Sequence, residues 1–422
     1  MKRIKFEEIP DIIGPKAKVG IGNGCAEPQT LVEALIEFRE RFRHLDIYGM
    51  ILFSSKHLLE PHPGVTFKLN SFMIDRFTVE GIKKGYVEYI PCRYSQIPSL
   101  FLDGILPLDV ALISVSKPNT RGICSFGVSS DFTMAMARSA KTVIAEINDR
   151  MPWVFGKGFI KISEIDYYLE TDRPLPQWPA EEQKDIDLKI GENVAGLIDD
   201  GATIQIGIGR LSEGVLSFLH HKKNLGIHSG LITDGIVDLL QKGAADNSRK
   251  GLKNGRTIGT TLIGTDKLFQ FVHGNKTVET YPSDYTHNQV VLAKLNRLHS
   301  INGALEVDLM GQVNAETIDG LQVSGVGGQT DFICGAALSK GGKAIIVIQS
   351  TSNKEDRSKI VPGLEKGAAV TSLRHDIDYV VTEYGIACLR GKTLRERAQA
   401  LVAIAHPKFR DWLESQGRRL LH

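Results

Sequence analysis

Short apolar runs alternate with longer segments of helical spacing along most of this chain. Residues 31–36, whose apolar positions follow Pro28 at helical intervals, are predicted to form a helix. Continuous apolar strands separated by helices are typical of parallel sheets covered on both faces, and so the pattern predicts an α/β protein. The runs predicted to be strands are 19–22, 110–115, 142–147, 203–208, 343–348 and 379–382.

A proline-dense segment, 172–179, interrupts this alternation and is typical of an interdomain linker. On each side of it a strand ends in a glycine turn and leads into a helix, first around 20–24 and again around 207–209. The recurrence predicts two similar α/β domains with mainly parallel sheets, covering residues 1–175 and 183–422. Because active sites in such sheets lie at the carboxyl ends of the strands, we expect the active site between the two domains.

The composition narrows the class of partner. Among 422 residues, 51 lysines and arginines face 49 aspartates and glutamates, which leaves a net charge of +2. This near balance gives no electrostatic reason to bind nucleic acid or an anionic membrane. Glycine is in excess, with 42 of 422 residues against a usual share of about 7%. Such an excess indicates many tight turns, or backbone that lies close to a ligand.

The cysteines and the N-terminal sequence bear on the compartment. Five scattered cysteines form no CxxC pair, which fits neither a disulfide framework nor a structural zinc site, and we expect no metal. The basic N-terminal residues are not followed by an apolar run, and no apolar stretch approaches the ~20 residues of a membrane span. We therefore expect a soluble, cytoplasmic protein whose cysteines are reduced and packed as small hydrophobic residues.

Three glycine-rich turns are candidate ligand-binding segments: 20–24, 207–209 and 324–332. Glycine lets a ligand approach the backbone, and a following helix offers free N–H groups to an anion. The first two turns do not complete GxGxxG and no GxxxxGK[ST] occurs, so a dinucleotide or P-loop site is poorly supported. A plain tight turn stays an alternative for these two, whereas three glycines within four residues favour a ligand-facing role for the third.

Several titratable residues stand near these turns, and for each a structural and a catalytic role remain open. His228 and Ser229 would form a base–nucleophile pair only if the chain turned there, because adjacent side chains of a strand point to opposite faces. No GxSxG elbow supports a serine hydrolase. The candidates are His228, Asp234, Glu279, Asp284, Tyr285 and Glu383.

Ordered motifs over nearly the whole length carry a family resemblance; they are 111–116, 122–128, 205–209, 225–228, 279–285, 324–332, 382–392 and 404–407. In these segments the chain resembles the acetyl-CoA hydrolase/transferase family of the class I CoA-transferase superfamily. Within that family it is most similar to the 4-hydroxybutyrate and butyrate CoA-transferases. The resemblance implies two similar α/β domains with acyl-CoA bound in the cleft between them.

The resemblance also implies a set of residues that bind the coenzyme or form the oxyanion pocket. Backbone N–H groups of a glycine turn can stabilise the oxygen of a tetrahedral thioester adduct. A lysine in the set matches a basic position near the coenzyme, although it could equally be solvated. Acyl-CoA or CoA is implied as substrate, with a small-molecule acceptor, no tightly bound cofactor and a homo-oligomer. The implied residues are Gln205, Ile206, Gly207, Ile208, Gly209, Gly325, Val326, Gly327, Gly328 and Lys359.

One position departs from the family pattern. The family's transferases use a glutamate that attacks the thioester and then carries CoA as a glutamyl thioester. That glutamate follows His-Thr in a stretch that ends in Ser-Asp-Gly. The matching stretch here, 228–235, reads HSGLITDG, so that Gly230 occupies the position of the nucleophile. Glycine has no carboxylate, and this difference puts the usual mechanism in doubt.

Three explanations follow from the missing carboxylate. An acceptor could attack the thioester directly with a base such as His228, which would make the protein an acyltransferase or a hydrolase. Glu279 could have taken over as nucleophile, which would preserve CoA transfer between carboxylates. The chain could also be a non-catalytic protein that binds a CoA ester and acts through a partner. Because the glycine loops are retained, an acyl-CoA-dependent enzyme without the glutamyl intermediate is our leading hypothesis.

Overall fold

The computed structural model describes residues 1–207 and 209–420, and the predicted coenzyme residue Ile208 lies outside the described residues. The chain forms two compact units. The first contains Met1–Pro179, Ile232–Asp234 and Ile258–Thr286. The second contains Ala180–Leu231, Gly235–Thr257 and the chain from His287 onward. Both units are built from helices and mainly parallel sheets, which confirms the predicted fold class.

The first unit is built on an eight-stranded sheet whose neighbouring strands all run parallel. Their order across the sheet is β1-β8-β7-β6-β2-β3-β4-β5. In chain order they are β1 (Lys2–Arg3), β2 (Lys16–Ile21), β3 (His44–Gly49), β4 (Thr66–Ser71), β5 (Val87–Tyr89), β6 (Val110–Val115), β7 (Thr142–Asn148) and β8 (Tyr167–Thr171).

The second unit is built on a six-stranded sheet with the order β10-β9-β11-β12-β13-β14. Its strands are parallel except for the last pair, which is antiparallel. In chain order they are β9 (Thr203–Ile206), β10 (Gly226–Ile227), β11 (Leu298–Gly303), β12 (Lys343–Val347), β13 (Tyr379–Thr382) and β14 (Gly385–Cys388).

The predicted strands are confirmed, with small shifts at their ends. Strand β6 is buried along its whole length, as expected for a central strand that is covered on both faces. Strand β9 ends at Ile206, because the chain turns at the following glycine. The proline-dense segment 172–179 contains neither helix nor strand, as a linker should.

Helices and short strands connect the two sheets' main strands. Within the described chain, no helix combines the length and the apolar character that crossing a bilayer requires. The α-helices are Ile9–Ile13, Gln29–Glu37, Ser55–Leu58, Val79–Lys84, Ile97–Leu102, Thr133–Ser139, Asp185–Leu197, Arg210–Ser217, Asp234–Gln241, Asp266–Val272, Ser283–Thr286, Gln289–Leu292, Gln329–Leu338, Leu394–Ile404 and Arg410–Leu420. The short strands are Ile123–Ser125, Phe155–Gly156, Phe159–Lys161, Leu231–Ile232, Thr257–Gly259, Thr261–Leu262, Val278–Thr280, Glu306–Asp308, Val313–Asn314, Thr317–Ile318, Leu321–Gln322 and Ile360–Val361.

A segment from the second half of the sequence completes the first unit. The sequence places 258–286 in the domain 183–422, whereas in the structure it is part of the first compact unit. The strand Val278–Thr280 pairs in parallel with Phe155–Gly156, which sets Glu279 opposite Phe155. Backbone pairing between distant parts of the chain therefore decides where this segment belongs.

The five cysteines are unbridged, and their environments differ. Cys25 and Cys124 are buried, and burial raises the pKa of their thiols to about 12 and about 11. These two behave as the small hydrophobic residues that the sequence predicts. The same expectation is wrong for Cys388, which is exposed on β14 because that strand lies at the edge of its sheet.

Two buried carboxyl groups hold loop and helix ends in the first unit. Glu146, on β7, accepts a hydrogen bond of 2.7 Å from the backbone N–H of Thr30, in the first turn of the helix Gln29–Glu37. Glu27 accepts hydrogen bonds from the backbone N–H groups of Phe53 and Ser54. Burial raises the pKa of both carboxyl groups to about 7.

These raised pKa values predict a loss of stability as the pH rises. A carboxyl group whose folded pKa is raised contributes most below its unfolded pKa, near 4.5, and loses that contribution as the pH passes about 7. For Glu146 alone the difference amounts to at most about 3 kcal/mol. We therefore expect Glu146→Gln to flatten the fall in free energy of unfolding between pH 5 and pH 8, measured by urea denaturation. The exposed control Glu181→Gln should leave that fall unchanged, and equal slopes for wild type and Glu146→Gln would contradict the assignment.

Candidate active site

The first predicted coenzyme segment forms the turn after strand β9. The chain turns at Gly207 and Gly209, and Gly209 has a φ of 112°, which favours glycine. The side chain of Gln205 is buried and exchanges two amide hydrogen bonds with Asn302 on β11, of 3.1 and 3.0 Å. Gln205 thus joins two strands, and the backbone N–H of Gly207 continues this pairing by donating to the carbonyl of Ile301 at 3.0 Å.

The segment that resembles the family's nucleophile stretch follows strand β10. His228 is buried, and its backbone N–H donates to the carbonyl of Ile204 at 3.1 Å. The Ser229 hydroxyl donates to the carbonyl of Ile206 at 3.1 Å, which ties the segment to the end of β9. The hydroxyl of Ser229 is therefore hydrogen-bonded to the backbone. Strand pairing brings the predicted residues 205–207 and 228–230 to the same edge of the sheet.

The third glycine-rich segment leads directly into the ten-residue helix Gln329–Leu338, with Gly328 at its N-cap. Gly325 and Gly327 are buried, Val326 and Gly328 are half-buried, and Gly327 has a φ of 51°. Because Gly328 has no side chain to cap the helix, the first-turn N–H groups can serve an acceptor oxygen. The side chains of Gln329 and Thr330 donate to Ser372 Oγ and to the carbonyl of Thr371, which fixes the first turn in place.

A histidine lies between the second and third segments. The His287 side chain is buried, and its ring meets the Phe332 ring edge-on, with the centroids 4.7 Å apart. A Cβ atom built on Gly230 would lie only 2.7 Å from Nε2 of His287. A Cβ atom on Gly328 would also collide with Nε2. The imidazole of His287 therefore fills the space beside Gly230 and Gly328 that side chains at those positions would need.

Charged residues lie beside the β9 turn. Arg210, the first residue of the helix Arg210–Ser217, forms an ion pair of 2.5 Å with the fully buried Asp187. Burial is the main cause that lowers the pKa of Lys359; Glu383 opposes the shift and Arg210 adds to it. Glu383 itself accepts a hydrogen bond of 3.0 Å from the backbone N–H of Ser350. Lys359 thus belongs to a partly buried charge cluster, which disfavours the alternative of a solvated lysine.

Lys359 also lines a cavity of about 630 Å³ in the second unit. Ser352, Ser358 and Arg357 contribute polar groups to its wall, and Phe409 and Trp412 contribute aromatic rings. The wall also carries the carboxylates of Glu306, Asp319, Asp356 and Glu365, so that its charge is mixed and gives no preference for an anionic ligand.

The remaining titratable candidates lie in the first unit and have local partners. Glu279 is half-buried and accepts a hydrogen bond of 2.8 Å from the Tyr281 hydroxyl. Tyr281 stacks on Tyr285 with the ring centroids 4.4 Å apart. Burial raises the pKa of Asp284. Asp234 accepts backbone hydrogen bonds from Thr265 and Leu268 and so stabilises the start of the helix Asp266–Val272.

Sequence reasoning missed His287, Arg210 and Asp187. His287 follows the well-matched 279–285 motif but stands 57 positions after Gly230, and no spacing rule links two such residues. Two features of the sequence could have pointed to His287: Gly230 stands where the family has a glutamate, and a histidine follows the family motif 279–285. Arg210 directly follows the GIG turn and could have been found as a cation at a candidate anion site.

Comparisons with protein families identify the chain. Residues 1–176 match the acetyl-CoA hydrolase/transferase N-terminal domain, and residues 264–417 match the C-terminal domain. The chain belongs to the acetyl-CoA hydrolase/transferase family. It is therefore an enzyme of the acyl-CoA transferase and hydrolase class.

Individual relatives cover nearly the whole chain. It is 46% identical to the 4-hydroxybutyrate coenzyme A transferase of Clostridium kluyveri, over 99% of this chain and 97% of that protein. Identity to the succinyl-CoA:cyclohexane-1-carboxylate CoA transferase of Geobacter metallireducens is 37%, over 93% and 90%. Among solved structures, RipA from Yersinia pestis superposes with a TM-score of 0.91 at 32% identity, over 100% and 98% of the two chains. The 4-hydroxybutyrate CoA-transferase of Porphyromonas gingivalis gives 0.83 at 37%, over 99% and 98%.

Proposed function

We propose that this enzyme uses an acyl-CoA thioester without the glutamyl-CoA intermediate and passes the acyl group directly to a small acceptor or to water. The observation that carries the proposal is the side chain that occupies the space beside Gly230. The position that matches the family's nucleophile holds a glycine, and Nε2 of His287 lies only 2.7 Å from where the first carbon of a side chain there would be. Gly230 provides no carboxylate, and His287 leaves little room for one, so both residues argue against a glutamyl intermediate at this position.

The surrounding segments support continued chemistry on a thioester. The helices Arg210–Ser217 and Gln329–Leu338 begin after the glycines Gly209 and Gly328, which have no side chain to cap the first-turn backbone N–H groups. Such groups can bind the oxyanion of the tetrahedral adduct that forms when an acceptor attacks the thioester carbon. Arg210 and Lys359 are cations that suit the phosphates of the coenzyme.

A substitute carboxylate is the second candidate, and one observation favours it. Glu279 keeps a hydrogen-bonded position in a segment that resembles the family, and the Tyr281 hydroxyl orients its carboxylate. Under this alternative the protein would transfer CoA between carboxylates, as the names of its relatives describe for those proteins. An active site between the two domains and a homo-oligomer both stay predictions.

Mass spectrometry of the intact protein separates these functions. We expect incubation with butyryl-CoA to release free CoA without any covalent CoA adduct, because no carboxylate stands at position 230. Glu279→Gln should release CoA at a rate similar to that of the wild type. An adduct that maps to Glu279, and that disappears in Glu279→Gln, would overturn the proposal in favour of CoA transfer. Saturable binding of butyryl-CoA and acetyl-CoA without release of CoA would overturn it in favour of a binding protein.

A further inference from the structure

His287 lies between two glycines whose backbone conformations do not require glycine. Gly328 has a φ of −92°, and Gly230 is absent from the residues of positive φ. An alanine could therefore adopt either backbone conformation, and what excludes a side chain at both positions is the imidazole itself. Because Gly230 and Gly328 have no side chains, the imidazole of His287 fits between them.

The ring is held firmly in that space. The His287 side chain is only 2% exposed, and the Phe332 ring packs against it. Phe332 lies one turn into the helix Gln329–Leu338, and its backbone N–H donates to the carbonyl of Gly328 at 3.1 Å. The same helix thus presents its N-terminal N–H groups and supports the imidazole.

We propose that His287 is the general base of this enzyme and takes the proton from the acceptor as it attacks the thioester. The inference rests on the proposed function. A hydrogen-bonded oxygen lies ~2.8 Å from an imidazole nitrogen. A hydroxyl or water on Nε2 of His287 would therefore lie within one side-chain length of residue 230, the region that a glutamate there would reach. An imidazole can accept a proton near neutral pH, as this role requires.

The step is balanced in atoms and charge. The acceptor oxygen forms a bond to the thioester carbon while its proton passes to Nε2 of His287. The oxyanion then collapses, the carbon–sulfur bond breaks, and the proton on Nε2 passes to the sulfur. Free CoA and the acylated acceptor leave, and with water as acceptor the product is the carboxylic acid.

His287 replaces His228 as the residue to which we assign the base. His228 is also buried, and its backbone N–H donates to the carbonyl of Ile204 on strand β9. The ring of His287, in contrast, reaches both the nucleophile position and the glycine loop.

The test measures CoA release from butyryl-CoA in variants of the full chain. His287→Gln keeps a polar side chain but no proton acceptor of comparable basicity. We expect it to lower kcat at least ~100-fold while KM for butyryl-CoA changes less than about threefold. His287→Ala should be equally slow, and added imidazole should restore at least a tenth of the wild-type kcat, because the ring leaves a cavity between two glycines. His299→Gln is the control, because it removes another fully buried imidazole from the same unit. It shows how far the loss of a buried imidazole affects folding.

The outcomes separate the inference from the proposed function. Wild-type release of CoA without an adduct, together with an unchanged kcat in His287→Gln, overturns the role of His287 alone. A slow His287→Ala that imidazole does not restore shows a structural role and also overturns it. A covalent adduct on the wild type, or no release of CoA, overturns the proposed function together with this inference.

Discussion

Gly230→Glu alone is expected to give a less stable protein that still forms no glutamyl-CoA. The new Cβ would lie 2.7 Å from Nε2 of His287, so that the buried ring, which packs edge-on against Phe332, would have to move. Overpacking of this kind typically costs about 1–3 kcal/mol. Urea denaturation should show that loss, and mass spectrometry after incubation with butyryl-CoA should show no covalent CoA.

The double variant Gly230→Glu/His287→Ala is expected to form glutamyl-CoA, if the proposed function is correct. Removing the imidazole frees the space, so that the introduced carboxylate can attack the thioester and accept CoA. We expect a covalent CoA adduct at position 230 and exchange of CoA between butyrate and acetate. The control is Gly230→Gln/His287→Ala, whose glutamine has nearly the same volume as glutamate but no nucleophilic carboxylate. It should form no adduct. An adduct as abundant in the single variant as in the double variant would show that His287 does not obstruct the position.

Asp187→Ala is expected to destabilise the second unit markedly. The fully buried carboxylate pairs with Arg210 at 2.5 Å and accepts hydrogen bonds of 2.9 Å from Gln349 Nε2 and from the backbone N–H of Lys184. Removing one partner of a buried ion pair leaves the other charge uncompensated, which commonly costs about 3–5 kcal/mol. Because the Arg210 side chain is 23% exposed, we expect about 2–3 kcal/mol here, measured by urea denaturation.

The same variant should weaken coenzyme binding, because Arg210 directly follows the turn at Gly209. We expect a higher Kd for CoA in isothermal titration. Asp185→Ala is the matched control, because Asp185 is exposed in the first turn of the helix Asp185–Leu197, which also contains Asp187. It should change the free energy of unfolding by less than about 0.5 kcal/mol. Equal losses for the two variants would contradict a special role for the buried pair.

Much of the fold could be predicted from local patterns. The run 110–115 is apolar throughout because β6 is covered on both faces, and 379–382 coincides with β13. The two glycine turns were visible because a strand that leads into a helix requires a tight connection. The class of chemistry was also accessible, since it depended on ordered motifs along the whole chain.

The position of His287 could not be predicted, because it depends on packing between residues far apart in the sequence. Nothing local distinguishes this histidine from one on the surface, and only the fold brings it to Gly230 and Gly328. The roles of Gln205 and Ser229 were hidden for the same reason, since their partners lie on neighbouring strands. Sequence patterns report which face is apolar, whereas a polar side chain's partner depends on tertiary structure.

The pairing of Val278–Thr280 with Phe155–Gly156 has a consequence for the protein while it is being made. As the chain leaves the ribosome, the first unit lacks the strands and helices of Ile258–Thr286 until more than 100 residues beyond Pro179 have been synthesised. Its exposed strand edge must meanwhile avoid other partners. A nascent or truncated chain that stops at the proline-dense linker is therefore a candidate for chaperone binding, although the sequence up to that point reads as a whole domain.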